Sequence, residues 1–167
     1  PQSGEIFIAG GDNFINGGTN NQGNNNSNLF DYTDNSLVRS ANMFSARWYS
    51  SSTVMINGEV YIQGGNGGGD RPEVRQTDGT FRLLTGANTS SYAATFPRNF
   101  LAPDGRVFGY DTNGNMVFIN TSGTGSLSAV GQFASANAGW TSGAAMFDIG
   151  KIAQMGGNSN GLAIIDI

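Results

Sequence analysis

Apolar residues in this chain fall in short runs, and none of them recurs at i, i+3, i+4 and i+7 over three helical turns. The runs Val54-Met55-Ile56, Val60-Tyr61-Ile62, Met116-Val117-Phe118-Ile119 and Leu162-Ala163-Ile164-Ile165 are β-branched and aromatic, and Gly, Asn or Asp bounds each of them. That pattern predicts strands and no long helix. One phrase returns four times: Gly4-Glu-Ile-Phe-Ile-Ala-Gly-Gly11, Gly58-Glu-Val-Tyr-Ile-Gln-Gly-Gly65, Gly105-Arg-Val-Phe-Gly-Tyr-Asp111 and Gly150-Lys-Ile-Ala-Gln-Met-Gly-Gly157. It consists of a turn glycine, a short strand and, where the phrase is complete, a glycine pair.

The opening glycines are 54, 47 and 45 residues apart, and a period near 50 is the signature of kelch-type propeller blades. An apolar strand precedes the later phrases (51–56, 99–101, 143–147) and a tight turn follows it, at Asn57-Gly58, Pro103-Asp-Gly105 and Asp148-Ile-Gly150; Asn-Gly and Asp-Gly supply the positive φ that two-residue hairpins need. Third strands are expected at 29–32, 73–76, 116–119 and 162–165, and fourth strands at 81–84 and 128–130. The predicted class is therefore all-β, a kelch-type β-propeller of about three and a half four-stranded antiparallel blades from a ring of about seven. The expected division is a partial blade at 1–43, complete blades at 44–91 and 92–139, and a partial blade at 140–167. Such a piece would expose two apolar blade faces. Its expected partners are the remaining blades, supplied by further chain or by self-association.

Asp12 to Asn28 departs from the repeat, being almost wholly Asn, Gly, Thr and Ser. It reads as a loop insertion, either a solvated linker or a rim loop that contacts sugar through its amides. Calcium there would need clustered carboxylates, and only Asp12 is present. The chain begins at Pro1 inside the repeat pattern, as expected of a processed or truncated piece.

Eight Lys and Arg against twelve Asp and Glu leave no basic stripe, which argues against nucleic acid. No run approaches the ~18 apolar residues of a membrane span. With no His and no Cys, the chain cannot build a Ser-His-Asp triad, a thiol nucleophile, or an imidazole or thiolate metal site. Asp104, Asp111 and Asp148 occupy turns, where accepting backbone hydrogen bonds is the expected role. Asn25-Asn-Ser27, Asn88-Thr-Ser90 and Asn120-Thr-Ser122 fit the glycosylation sequon.

The most informative cluster is Ser45-Ala-Arg-Trp-Tyr-Ser-Ser-Ser52, which places a cation, an indole and a phenol at the entrance to an inner strand. Inner strands of propellers line the channel where ligands bind. The alternative is that Trp48 and Tyr49 pack between blades.

The run from Met43 through Arg47-Trp48-Tyr49 to Gly65 resembles the galactose oxidase and glyoxal oxidase family of copper radical oxidases, the glyoxal oxidase branch in particular. The resemblance continues through Phe96–Phe108 and Gly143–Gly157. It implies a seven-bladed propeller with copper at its axis, oxidising alcohols or aldehydes with oxygen to give hydrogen peroxide. Tyr49 takes the position of the family's copper-ligating tyrosine, which a thioether bond to a cysteine turns into a radical cofactor. Arg47 and Trp48 would be its neighbours, and Arg98 falls near the family's substrate-binding arginine. The family's cysteine would lie upstream of Pro1 and its other ligands in later blades, so no copper cofactor is expected to assemble in this chain alone. Where galactose oxidase carries a stacking tryptophan, this chain has Asn66-Gly-Gly-Gly69. Two readings follow: part of a secreted, glyoxal-oxidase-like enzyme acting on a small alcohol, aldehyde or carbohydrate, or a non-catalytic kelch module that binds carbohydrate or a protein partner.

Overall fold

The computed structural model describes residues 4–13 and 22–167. Its strands form four antiparallel sheets in chain order, each a simple meander. The first holds β1 (Ile6–Ala9), β2 (Ser27–Asp31) and β3 (Ser36–Arg39). The second holds β4 (Ser50–Val54), β5 (Val60–Gly64), β6 (Glu73–Arg75) and β7 (Phe81–Leu83). The third holds β8 (Arg98–Leu101), β9 (Val107–Tyr110), β10 (Asn115–Asn120) and β11 (Ser126–Gln132). The fourth holds β12 (Gly143–Asp148), β13 (Lys151–Met155) and β14 (Leu162–Asp166). The only helical element among the described residues is a single 3-10 turn, Ser135–Asn137. This is an all-β, propeller-like arrangement. The Asp12–Asn28 insertion lies partly outside the described residues; its flanks pair through an Asp12–Gly23 bridge.

Three apolar seams hold the sheets face to face. Phe7 and Ala9 of the first sheet meet Val60 and Ile62 of the second. Tyr61, Val74 and Leu84 of the second meet Val107, Val117 and Ile119 of the third. Phe108 and Tyr110 of the third meet Ile152 and Ile165 of the fourth. Successive residues of a strand point to opposite faces, so in β5 Val60 and Ile62 serve one seam while Tyr61 serves the next. A strand covered on both sides is largely apolar; β5 and β9 are buried throughout, and the one polar side chain of β5, Gln63, accepts from the Tyr61 hydroxyl at 2.9 Å.

The two outer faces have no such cover. Ile6 and Ile8 of β1 and Leu37 of β3 are exposed, as are Phe147, Met155, Leu162 and Ile164 on the far face of the fourth sheet. The first strands β4 and β8 lie against each other, and the Thr53 hydroxyl of one donates to the Asn99 carbonyl of the other at 3.3 Å. Their entrance loops are thereby brought to a common end of the molecule.

Candidate functional site

The chain enters β4 through Arg47-Trp48-Tyr49, and the three residues have different surroundings. Arg47 is wholly buried. Its Nε and Nη2 donate to Glu73 Oε1 at 2.9 and 2.8 Å, Nη1 donates to the carbonyls of Gly64 and Gly68 at 2.6 and 2.7 Å, and Nη2 also reaches the Arg71 carbonyl at 2.7 Å. A guanidinium has five N–H donors, and these bonds employ all of them. Glu73, equally buried, also accepts from the backbone N–H of Phe44 at 2.8 Å and of Ser45 at 3.4 Å. The ion pair fixes the entrance loop to β6 and to the loop that follows β5.

The Arg47 backbone is a second junction. Its carbonyl accepts from Gly11 N–H at 2.8 Å, and its N–H donates to the Asn24 carbonyl at 2.9 Å. At Gly10, with φ of 67°, a Cβ would collide with the Arg47 carbonyl, and at Gly64, with φ of 72°, with the carbonyl of Ala94. Gly10 and Gly64 are thus positions where the ends of β1 and β5 pass directly against the entrance loop of the next sheet, whereas Gly157 lies against the Ala138 carbonyl in the loop that enters its own sheet. The third phrase, which ends in Tyr110-Asp111, uses a carboxylate instead. Asp111 accepts from Ala93 N–H at 2.9 Å and from the N–H groups of Asn113 and Asn115.

Tyr49 stands outside this anchored layer. It is 45% exposed, and its hydroxyl has no hydrogen-bond partner among the described residues. Its ring stacks on Trp48 on one side, centroids 4.2 Å apart and planes at 27°, and on Phe96 on the other, at 4.5 Å and 28°. Trp140 continues the row at 6.0 Å and 36° from Phe96. Tyr49 and Phe96 both have positive φ, 64° and 56°, a conformation that costs a bulky residue about 1–3 kcal/mol and tends to collect at functional sites. Backbone bonds hold it in place: Phe96 N–H donates to the Tyr49 carbonyl at 3.0 Å, Asn66 N–H to the Trp48 carbonyl at 2.6 Å, and Gly65 N–H to the Ala94 carbonyl at 2.6 Å. The four rings, with Asn66 and Thr95, line an open cavity of about 340 Å3.

Arg98, at the start of β8, lies behind this wall. Its guanidinium donates to the carbonyl of Ser142 at 2.7 Å, the Ser142 hydroxyl at 3.1 Å, the carbonyls of Gly139 and Trp140 at 3.4 Å, and the Phe96 carbonyl. Burial disfavours its charged form and lowers its pKa. It ties the Phe96 turn to the loop that carries Trp140. Among the residues singled out from the sequence, Arg47, Trp48 and Tyr49 therefore share one loop, and Arg98 joins them through the Phe96 turn.

Phe96 and Trp140 were not among those residues. Both lie just ahead of the first strand of a sheet, as Tyr49 does, at two residues before β8 and three before β12. Aligning the repeats on their first strands would have shown an aromatic residue at each entrance.

No protein-family model matches this chain, and no curated protein matches it. Solved structures do. A fungal alcohol oxidase of the AA5 family, described as showing catalytic diversity within that family and solved in complex with copper, superposes with a TM-score of 0.74 over 86% of this chain, at 20% identity. The fold is shared with a copper alcohol oxidase. This chain spans 35% of that structure's length.

Proposed function

We propose that the chain is part of a seven-bladed kelch-type propeller of a secreted copper radical oxidase, glyoxal-oxidase-like, which oxidises an alcohol or aldehyde with oxygen to hydrogen peroxide. The observation that carries this reading is the presentation of Tyr49: a half-exposed phenol whose hydroxyl has no partner among the described residues, clamped between Trp48 and Phe96 at the mouth of a first strand. The shared fold supports it, and so do the apolar outer faces of the first and fourth sheets, which further blades would cover.

The donors of this chain do not by themselves fit a copper centre. The sequence contains no imidazole and no thiol, no three carboxylates converge among the described residues, and one phenol does not hold copper. On this reading the other ligands, the cysteine included, come from sequence beyond these residues. The chain's own contribution is positional. Arg47 and Glu73 hold the entrance loop, Trp48 and Phe96 fix the plane of the Tyr49 ring, and Arg98 holds the Phe96 turn.

Secretion is part of the proposal, and the three sequons bear on it unequally. Asn88 and Asn120 are exposed, and each uses its Oδ1 to accept from the N–H two residues on. Asn25 instead donates its amide to the Met43 carbonyl at 3.2 Å, and Ser27 is buried. A secreted product should carry glycan at the first two sites and none at Asn25, which glycosidase treatment and mass spectrometry would read.

The decisive experiment uses the protein with all its natural flanking sequence. Copper content and peroxide production are measured for wild type and for Tyr49→Phe; the oxidase reading requires copper in the wild type and loss of peroxide in the variant. A copper-free, inactive wild type would favour the second reading, a non-catalytic propeller module that binds carbohydrate or a protein partner. The aromatic wall is the observation that favours it, since such rings bind ligands without a metal.

A further inference from the structure

Asn66-Gly67 lies in the loop that follows β5, and Asn66 lines the cavity in front of Tyr49. An asparagine followed by glycine is open to attack from its own backbone. The glycine nitrogen, once it loses its proton, adds to the side-chain carbonyl carbon of the asparagine, and the missing Cβ leaves the approach clear. In a folded chain the outcome depends on that nitrogen. An N–H that donates to an acceptor gives up its proton less readily and is held in one orientation.

Four Asn-Gly steps lie among the described residues, and all four asparagines are exposed. Their glycines differ. Gly58 and Gly114 are buried, and their N–H groups donate to the carbonyls of Met55 at 2.9 Å and of Asp111 at 3.0 Å. Gly161 is half-buried, and its N–H donates to the Ser159 hydroxyl at 3.1 Å. Gly67 is exposed, and its N–H has no partner among the described residues. The surrounding loop explains why. Asn66 N–H is held by the Trp48 carbonyl at 2.6 Å, and Gly68 N–H reaches back to the Gly65 carbonyl at 3.1 Å. Arg47 Nη1 meanwhile holds the Gly64 and Gly68 carbonyls, so the turn closes around Gly67 without using its N–H.

We propose that Asn66 is a site of spontaneous deamidation, the first of the four to react, and that the product places a carboxylate at the cavity in front of Tyr49. The Gly67 nitrogen forms a bond to Asn66 Cγ, and the side-chain nitrogen leaves as ammonia, taking up the glycine's proton. Water then opens the cyclic imide at one of its two carbonyls, giving either an aspartate or an isoaspartate at position 66. Either product brings a negative charge into a lining that holds none, since Trp48, Tyr49, Thr95, Phe96 and Trp140 are uncharged. The isoaspartate also lengthens the main chain by one carbon immediately after the N–H that holds Trp48. The reaction requires only water, and it stands whether or not the chain belongs to an oxidase.

The test holds the protein, natural flanking sequence retained, at mildly alkaline pH, folded in buffer and unfolded in guanidinium chloride. Conversion at each site is followed by peptide mapping and mass spectrometry. In the folded protein Asn66 is expected to convert about five- to tenfold faster than Asn57 and Asn113, the worth of one backbone hydrogen bond expressed as a rate, with Asn160 between them. In denaturant the four rates should draw together, because the dipeptide is the same and only the fold separates them. Asn66→Gln, whose longer side chain would have to close a larger ring, should remove the conversion at position 66 and leave the other three unchanged. Conversion of folded Asn66 no faster than that of Asn57 and Asn113 overturns the proposal, as does a ranking that survives unfolding.

Discussion

Arg47 and Tyr49 are two residues apart and illustrate opposite uses of a side chain. Arg47 is sealed from water with all five donors engaged, so it can bind nothing further. Tyr49 is nearly half exposed, carries positive φ and keeps its hydroxyl unpaired among the described residues. The contrast teaches that the strained, open residue depends on the saturated one: a loop whose entrance is fixed by a buried ion pair can sustain an unfavourable backbone conformation two residues later. Identity as Arg, Trp or Tyr says little about role until the partners of each are known.

The contrast is broken most severely by Glu73→Ala. It leaves the Arg47 charge buried without its counter-ion, and a loss of about 3–5 kcal/mol is expected in urea unfolding. Gly10→Ala comes next. The new methyl group meets the Arg47 carbonyl and the residue keeps a left-handed conformation, so about 1–3 kcal/mol should be lost, with the first sheet loosening before the third in hydrogen exchange. Tyr49→Phe sharpens the comparison from the other side. An exposed hydroxyl without a partner among the described residues contributes little to stability, so the variant's unfolding free energy should stay within about 0.5 kcal/mol of wild type, while any activity that depends on the phenol disappears. A larger loss of stability would mean that Tyr49 is a structural residue after all.

The smallest effect concerns the hairpin turns, far from either residue. Asp78 and Asp104 have lowered pKa values, held down chiefly by side-chain hydrogen bonds from Thr80 and Arg106. A carboxylate with a depressed pKa in the folded state stabilises above its unfolded value and ceases to do so as pH falls through the folded one. As pH falls below the ordinary carboxylate value of 3.8, the protection of the amides in those turns, and in the Asp31 turn that Thr33 holds in the same way, should therefore fall, and that of β5 should not change.

The strands were legible because covering both faces of a middle sheet requires continuous apolar runs, as in Val60-Tyr61-Ile62, and because Asn57-Gly58 and Asp104-Gly105 are turns by their own chemistry. The Arg47-Trp48-Tyr49 loop was legible as a cluster. The Glu73 pairing was not, since 26 residues separate the partners and charge alone does not select among twelve acidic residues. Phe96 and Trp140 escaped for a related reason. Each looks like an isolated aromatic residue until β4 and β8 are placed side by side and Arg98 draws the following loop toward Phe96.

The close passage of Gly10 against Arg47, and of Gly64 against Ala94, has a consequence for how such a chain can be rearranged. At these two joints a strand end of one sheet is fitted to the entrance loop of the next, so a seam for exchanging a repeat should not be cut between those sheets. A graft cut at the sheet boundary would separate each glycine from the carbonyl it was selected to clear. A graft that carries β1 or β5 together with the entrance loop of the following sheet would keep that fit intact.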